Sequence, residues 1–207
     1  AVVACTFHAN RAEYGAGAQT DSDDGVFADC VFSENMADFA GALELGRGVT
    51  TAINCQFSDN TALNTGALEV VSGTHLVTLC TFSNNAAVRE GGALQCRGAL
   101  TTTVVSACTF SGNSVDEGGG AAFADSTTVT FSSCVFVGNT AETEGGGAVR
   151  LERTDAAFFS CVLAGNTAPN GAGIHSYESA PTLTGCTVFS NDAFTDGGGL
   201  FAEERSQ

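Results

Sequence analysis

The chain has 207 residues, is 43% apolar, and carries 26 glycines, 2 prolines and 9 cysteines. Its 23 acidic residues face only 7 basic ones, all arginine, for a net charge of -16. That balance excludes the clustered Lys and Arg of a nucleic-acid site, the apolar content argues against disorder, and no apolar run approaches the roughly 18–20 residues of a membrane helix.

Taken in order, the chain repeats one motif eight times. The first copy, in residues 1–29, has Cys5, Phe7, Asn10 and Ala12, then Gly15 to Ala18 and an acidic patch at Asp21, Asp23 and Asp24. The second and third copies are the most compact: Cys30, Phe32, Asn35, Ala37, and Cys55, Phe57, Asn60, Ala62, each followed by Gly-Ala-Leu-Glu. The fourth has Cys80, Phe82, Asn85 and Ala87, then Gly91-Gly92-Ala93-Leu94-Gln95-Cys96 and a Thr run at 101–103. Glycine triplets follow Cys108, Phe110, Asn113, Val115 and Cys134, Phe136, Asn139, Ala141. The seventh copy, with Cys161, Leu163, Asn166 and Ala168, is the loosest and holds both prolines. The eighth has Cys186, Val188, Asn191 and Ala193 and stops shortly after Gly197-Gly198-Gly199-Leu200. No linker or shift in composition divides the chain, so residues 1–207 read as a single domain.

Within a copy the apolar residues alternate with period two, the mark of a strand with one buried face. Cys55 and Phe57 point one way, Gln56 and Ser58 the other. A second run places Leu68 and Val70 inward and Glu69 outward, and a third strand precedes each cysteine, as in Thr128 to Phe131. Successive cysteines lie 25, 25, 25, 28, 26, 27 and 25 residues apart. So short a unit cannot close a core alone, and stacking copies buries each face on the next. The expected fold is an all-β parallel β-helix of about eight coils, on the order of 40 Å long at one strand spacing per coil. Gly- and Thr-rich copies would make poor helices. Every motif position then becomes a column: Cys and Phe in the core, and Asn at a turn, where it tolerates the left-handed conformation and its amide can bond from coil to coil.

A phenylalanine, two residues and an asparagine, followed by Gly-Gly-Ala and an aliphatic residue, resembles the repeats of chlamydial polymorphic outer membrane proteins. Related repeats occur in right-handed β-helix proteins of the pectin-lyase-like superfamily. Phe82 to Asn85 with Gly91 to Leu94 is the nearest match, and all eight copies take part. The resemblance implies a right-handed β-helix, secreted or on a cell surface, often adhesive.

Nine cysteines leave three readings open: a stacked column of reduced thiols, disulfides between neighbours, or a metal site. The spacing favours the first, because parallel side chains hold Cβ atoms too far apart for easy bridging and no Cys-x-x-Cys is present. Cys96 replaces Val70 and Leu45 and reads as core. The acids Glu13, Asp38, Glu90, Asp116, Glu117, Glu142, Glu144 and Asp196 form a stripe along one edge, a solvating surface with a weak capacity for Ca²⁺; no other cofactor is implied. Glu44 and Glu69 are outward acids on neighbouring coils, and Arg150, Arg153, Glu152 and Asp155 form a salt-bridge patch. His8, His75 and His175 fall in different columns, and no catalytic constellation emerges. The Thr residues before the cysteines hold no single register. No Asn-x-Ser/Thr sequon occurs.

The expected role is therefore a structural or adhesive rod in a filament or larger surface assembly, outside the cell, without membrane insertion. Carbohydrate binding or polysaccharide cleavage, and ice binding, stand as alternatives. The chain starts and stops inside a repeat and shows no cap, initiator Met or signal peptide pattern. It is thus expected to be a segment whose ends stack on further coils or other chains, with surface glycans as further partners.

Overall fold

Each copy of the motif closes one coil of a parallel β-solenoid, and the computed structural model describes residues 1–21 and 24–204 of it. Asp23 of the acidic patch lies outside the described residues. Among the described residues all regular structure is β, and strands pair in parallel with the coils before and after. The eight strands that carry the Phe position, from Thr6–His8 to Thr187–Phe189, form one sheet and count eight coils. The strand before each cysteine and the strand after each glycine cluster join in a single 14-stranded sheet. A seven-stranded sheet of very short strands, such as Thr61–Ala62 and Ala86–Ala87, follows the asparagines; period-two reading could not reveal strands of two residues.

The register places like on like. Phe32 pairs with Phe57, Phe57 with Phe82, and Phe82 with Phe110. Their rings stack with centroids 4.6–4.9 Å apart, nearly parallel, from Phe7 to Phe136. Leu163 and Val188 continue the column. Phe32 to Leu163, the cysteines from Cys30 to Cys161, and the aliphatic column Leu43, Leu68, Leu94, Ala122, Val149 and Ile174 are buried in one continuous core. At about 25 cal/mol per Å² of apolar surface removed from water, this burial is the main favourable term of the fold. Cys96 lies in that core, between Val70 and Ala124.

Two columns of left-handed residues turn the corners. The residue before each cysteine has φ near +50 to +63°, as at Asp29, Asn54, Leu79 and Gly185. So does the residue before each ladder asparagine: Ala9, Glu34, Asp59, Asn84, Gly112, Gly138, Gly165 and Ser190. The expectation that the ladder asparagines themselves adopt this conformation is corrected. The preceding residue makes the turn, which leaves the Asn side chain free to point along the stack. A non-glycine residue held there costs on the order of 1–3 kcal/mol, so the corners persist only because the columns beside them hold.

The glycine immediately before the second-run alanine, as at Gly41, Gly66, Gly92 and Gly120, serves close approach rather than turning. A Cβ on Gly66 would lie 2.0 Å from the Gly92 carbonyl oxygen, and one on Gly92 would lie 2.1 Å from that of Gly120. Two of the three extra residues in the 28-residue spacing after Cys80 are absorbed where Val71 pairs with Arg97 and Gly73 with Thr101, which leaves a bulge at 98–100.

Candidate functional site

The asparagine column is the most completely bonded feature of the interior. Asn60 Nδ2 donates to Asn85 Oδ1 at 2.9 Å and to the Phe32 carbonyl at 3.0 Å. The Asn60 backbone N–H also donates to Asn85 Oδ1, at 3.0 Å. The same three bonds recur at Asn35, Asn85, Asn113, Asn139 and Asn166, all buried. Each interior side chain therefore uses both of its N–H bonds and accepts twice, which is what a buried amide requires. At the two ends the pattern is half complete. Among the described residues no donor reaches Asn10 Oδ1, and the Asn191 backbone N–H has no acceptor.

The thiols form the neighbouring column. All nine cysteines are free; those from Cys30 to Cys161 are buried, Cys186 is half-buried and Cys5 is exposed. Each interior thiol lies near the carbonyl two residues earlier and another one coil back, as Cys55 does with Ile53 and Phe27 at 3.4 Å. Along the column, contact with the neighbouring thiols and then burial push Cys55, Cys108 and Cys161 upward, the same contacts pull Cys80 and Cys134 down to about 4, and burial pushes Cys96 up to about 12. Cys55, Cys96, Cys108 and Cys161 therefore stay protonated and unreactive at neutral pH, since the thiolate is the reactive form.

Polar chemistry outside the core gathers on the second run. Gln19, Glu44, Glu69, Gln95, Phe123, Arg150 and His175 form one column facing away from the core. Apart from Gln19 they are not exposed as the alternation alone suggests: Glu69 is fully buried, and Gln95, Phe123 and His175 nearly so. The loop after each asparagine folds over them. Arg97 pairs with Glu69 Oε1, Gln95 bonds Thr65 Oγ1 and Glu90, and Arg150 is held by Glu144 and Glu152. Burial, then the Glu69 charge, holds the Glu44 carboxyl above the usual range, and burial raises Glu90. The bonds of Gln95 to Thr65 and Glu90 and the Arg150–Glu144 pair tie loop to sheet, while Arg97–Glu69 and Arg150–Glu152 join residues of the strands themselves. Arg153 pairs with Asp125 and Glu152, whereas Asp155 accepts from the Ala180 backbone N–H at 2.9 Å instead of joining the ion pairs. The acidic stripe runs along the same loops: Asp38 bonds back to Glu13, and Glu144 to Glu117, through the backbone.

The histidines are scattered, as their columns imply. His8 is exposed and bonds Ser33, while His75 is buried inside with Nδ1 on Thr50 Oγ1 at 2.5 Å and Nε2 on the Ser72 carbonyl. His175 bonds Glu203 at 2.9 Å. Burial lowers both His75 and His175, which keeps them neutral.

Sequence reasoning missed a segregation of charge. Residues 70–88, 98–115, 126–141, 156–177 and 179–191 contain no Asp, Glu, Lys or Arg. In the fold these stretches supply the strand before, and the Phe-position strand after, Cys80, Cys108, Cys134, Cys161 and Cys186. The outer face of the pre-cysteine sheet has a middle column of Val26, Thr51, Leu76, Val104, Thr130, Ala157 and Thr182. One flanking column holds Val49, Thr74, Thr102 and Thr128; the other holds Ile53, Thr78, Ser106, Ser132, Phe159 and Thr184. Several threonines thus do share registers, while Thr50, Thr101 and Thr103 are buried. Counting uncharged windows between acidic ones would have singled out its residues, though not their alignment, in the sequence.

The family description "Right handed beta helix region" matches residues 40–207. The chain belongs to the right-handed β-helix family, and the solenoid above is its architecture. No curated protein and no solved structure matches the chain.

Proposed function

We propose that this protein is a structural and adhesive β-helical rod, displayed outside the cell or on its surface, whose end coils stack on further coils. The half-satisfied ladder at both ends carries the reading. Asn191 offers donors where Asn10 offers an acceptor, and Val188 and Phe7 are the partly exposed ends of one column. A head-to-tail contact would continue the Phe, Cys and Asn columns in register, and a non-closing contact of this kind builds filaments. Those coils can come from the same polypeptide or another copy. The likeness to chlamydial outer-membrane repeats and the lysine-free acidic surface support the extracellular setting, where surface glycans are further candidate partners.

The test is end blocking. In electron micrographs and sedimentation the 207-residue chain should form end-to-end oligomers, and Phe7→Asp or Val188→Asp should abolish them while the fold survives. Oligomers that persist in both variants, or a parent chain that never stacks, would count against the reading.

A further inference from the structure

The uncharged sheet face offers a second contact, perpendicular to the stacking axis and independent of the ends. A chain with net charge -16 repels its own copies wherever acids line the surface, and the post-asparagine loops and second run carry most of them. The pre-cysteine sheet differs. From Val49 to Thr184 its outward positions hold no ionisable group, and Leu76 and Val104 remain 39% and 38% exposed in its middle column. Val49 at 58% and Phe159 at 42% flank them.

We propose that this face packs against the same face of a second copy, sheet on sheet, about a two-fold axis passing close to Val104. Val104 lies in the middle column and on the third of the six uncharged coils, so rotation about it brings most of the uncharged area onto itself. Five residues at about 3.3 Å by the six coils from Val49 to Thr184 at about 4.8 Å give roughly 500 Å² per copy. The pair then buries about 1,000 Å², the lower limit for a specific interface, which describes a reversible contact strengthened by repetition along a rod. Apposed faces of β-branched and Thr side chains about 10 Å apart are ordinary sheet packing. The acidic loops stay at the rim, where salt screens their repulsion.

The test uses the full 207-residue chain carrying Phe7→Asp, so that end stacking does not contribute. In sedimentation equilibrium it should dimerise with rising concentration, and more strongly as NaCl is added. Val104→Glu sets two carboxylates against each other across the axis and should weaken the dimer at least tenfold. Thr143→Glu, on the opposite loop edge, should leave it unchanged. Val104→Cys in a Cys5→Ser background should give a covalent dimer under mild oxidation, an outcome head-to-tail stacking cannot produce. Circular dichroism confirms that each variant folds. A chain that stays monomeric in high salt, a dimer indifferent to Val104→Glu, or a face that binds only ice (read as thermal hysteresis) or an unrelated partner overturns the proposal.

Discussion

Replacing Asn85 by alanine tests the ladder where it is most complete. Asn85 is fully buried, accepts from both Asn60 N–H groups, and donates to Asn113 Oδ1 and the Phe57 carbonyl. Alanine leaves the Asn60 backbone N–H and one Asn60 side-chain N–H without acceptors. At about 1–3 kcal/mol for each buried donor left unsatisfied, the cost is about 2–6 kcal/mol. Asn10 gives the internal comparison: it is exposed, accepts from no described residue, and its side chain makes a single bond, to Asn35. Asn10→Ala should therefore cost about 1 kcal/mol or less. Urea unfolding followed by far-ultraviolet circular dichroism reads both, with m compared so that a midpoint shift reports stability. Equal midpoint shifts for the two variants, or none for Asn85→Ala, would refute the view that the buried amides support the stack.

The phenylalanine column should respond as a packed core: Phe110→Ala, between rings at 4.6 and 4.8 Å, is expected to cost about 3–5 kcal/mol in the same unfolding assay. Gly66→Ala should destabilise by about 3 kcal/mol or fail to fold, because its Cβ would sit 2.0 Å from a carbonyl oxygen, whereas Ala at Gly138 meets open space and pays only for its positive φ. Thiol titration of the native chain should show Cys5 reacting promptly and Cys186 more slowly, with all nine reacting in denaturant. The pH profile of stability should carry two opposed limbs. Glu44 and Glu90 have raised folded values, so their contribution is full below about 4.5 and lost as pH rises through those values. His75 and His175 have lowered ones, so theirs is present above about 6.5 and lost as pH falls. Glu44→Gln should flatten the limb above 4.5; an unchanged limb would show that burial of that carboxyl is relieved in some other way.

Spacing and alternation were enough for the solenoid, its eight coils and the identity of its columns, because a repeat that stacks on itself turns each sequence position into a line of contacts. Cys55, Phe57 and Asn60 are legible this way, and so is the glycine cluster. The sequence could not say which residue at the corner takes the left-handed turn, since Asp59 and Asn60 are both suited to it; the coil-to-coil amide bonds decide for Asp59. Nor could it say that Glu69 is buried. Period-two alternation sorts residues into inward and outward, but whether an outward side chain meets water depends on the loops of its own and neighbouring coils folding back over it. The uncharged face has the same origin: its residues sit in separate windows along the chain, and only the winding of eight coils lays them side by side.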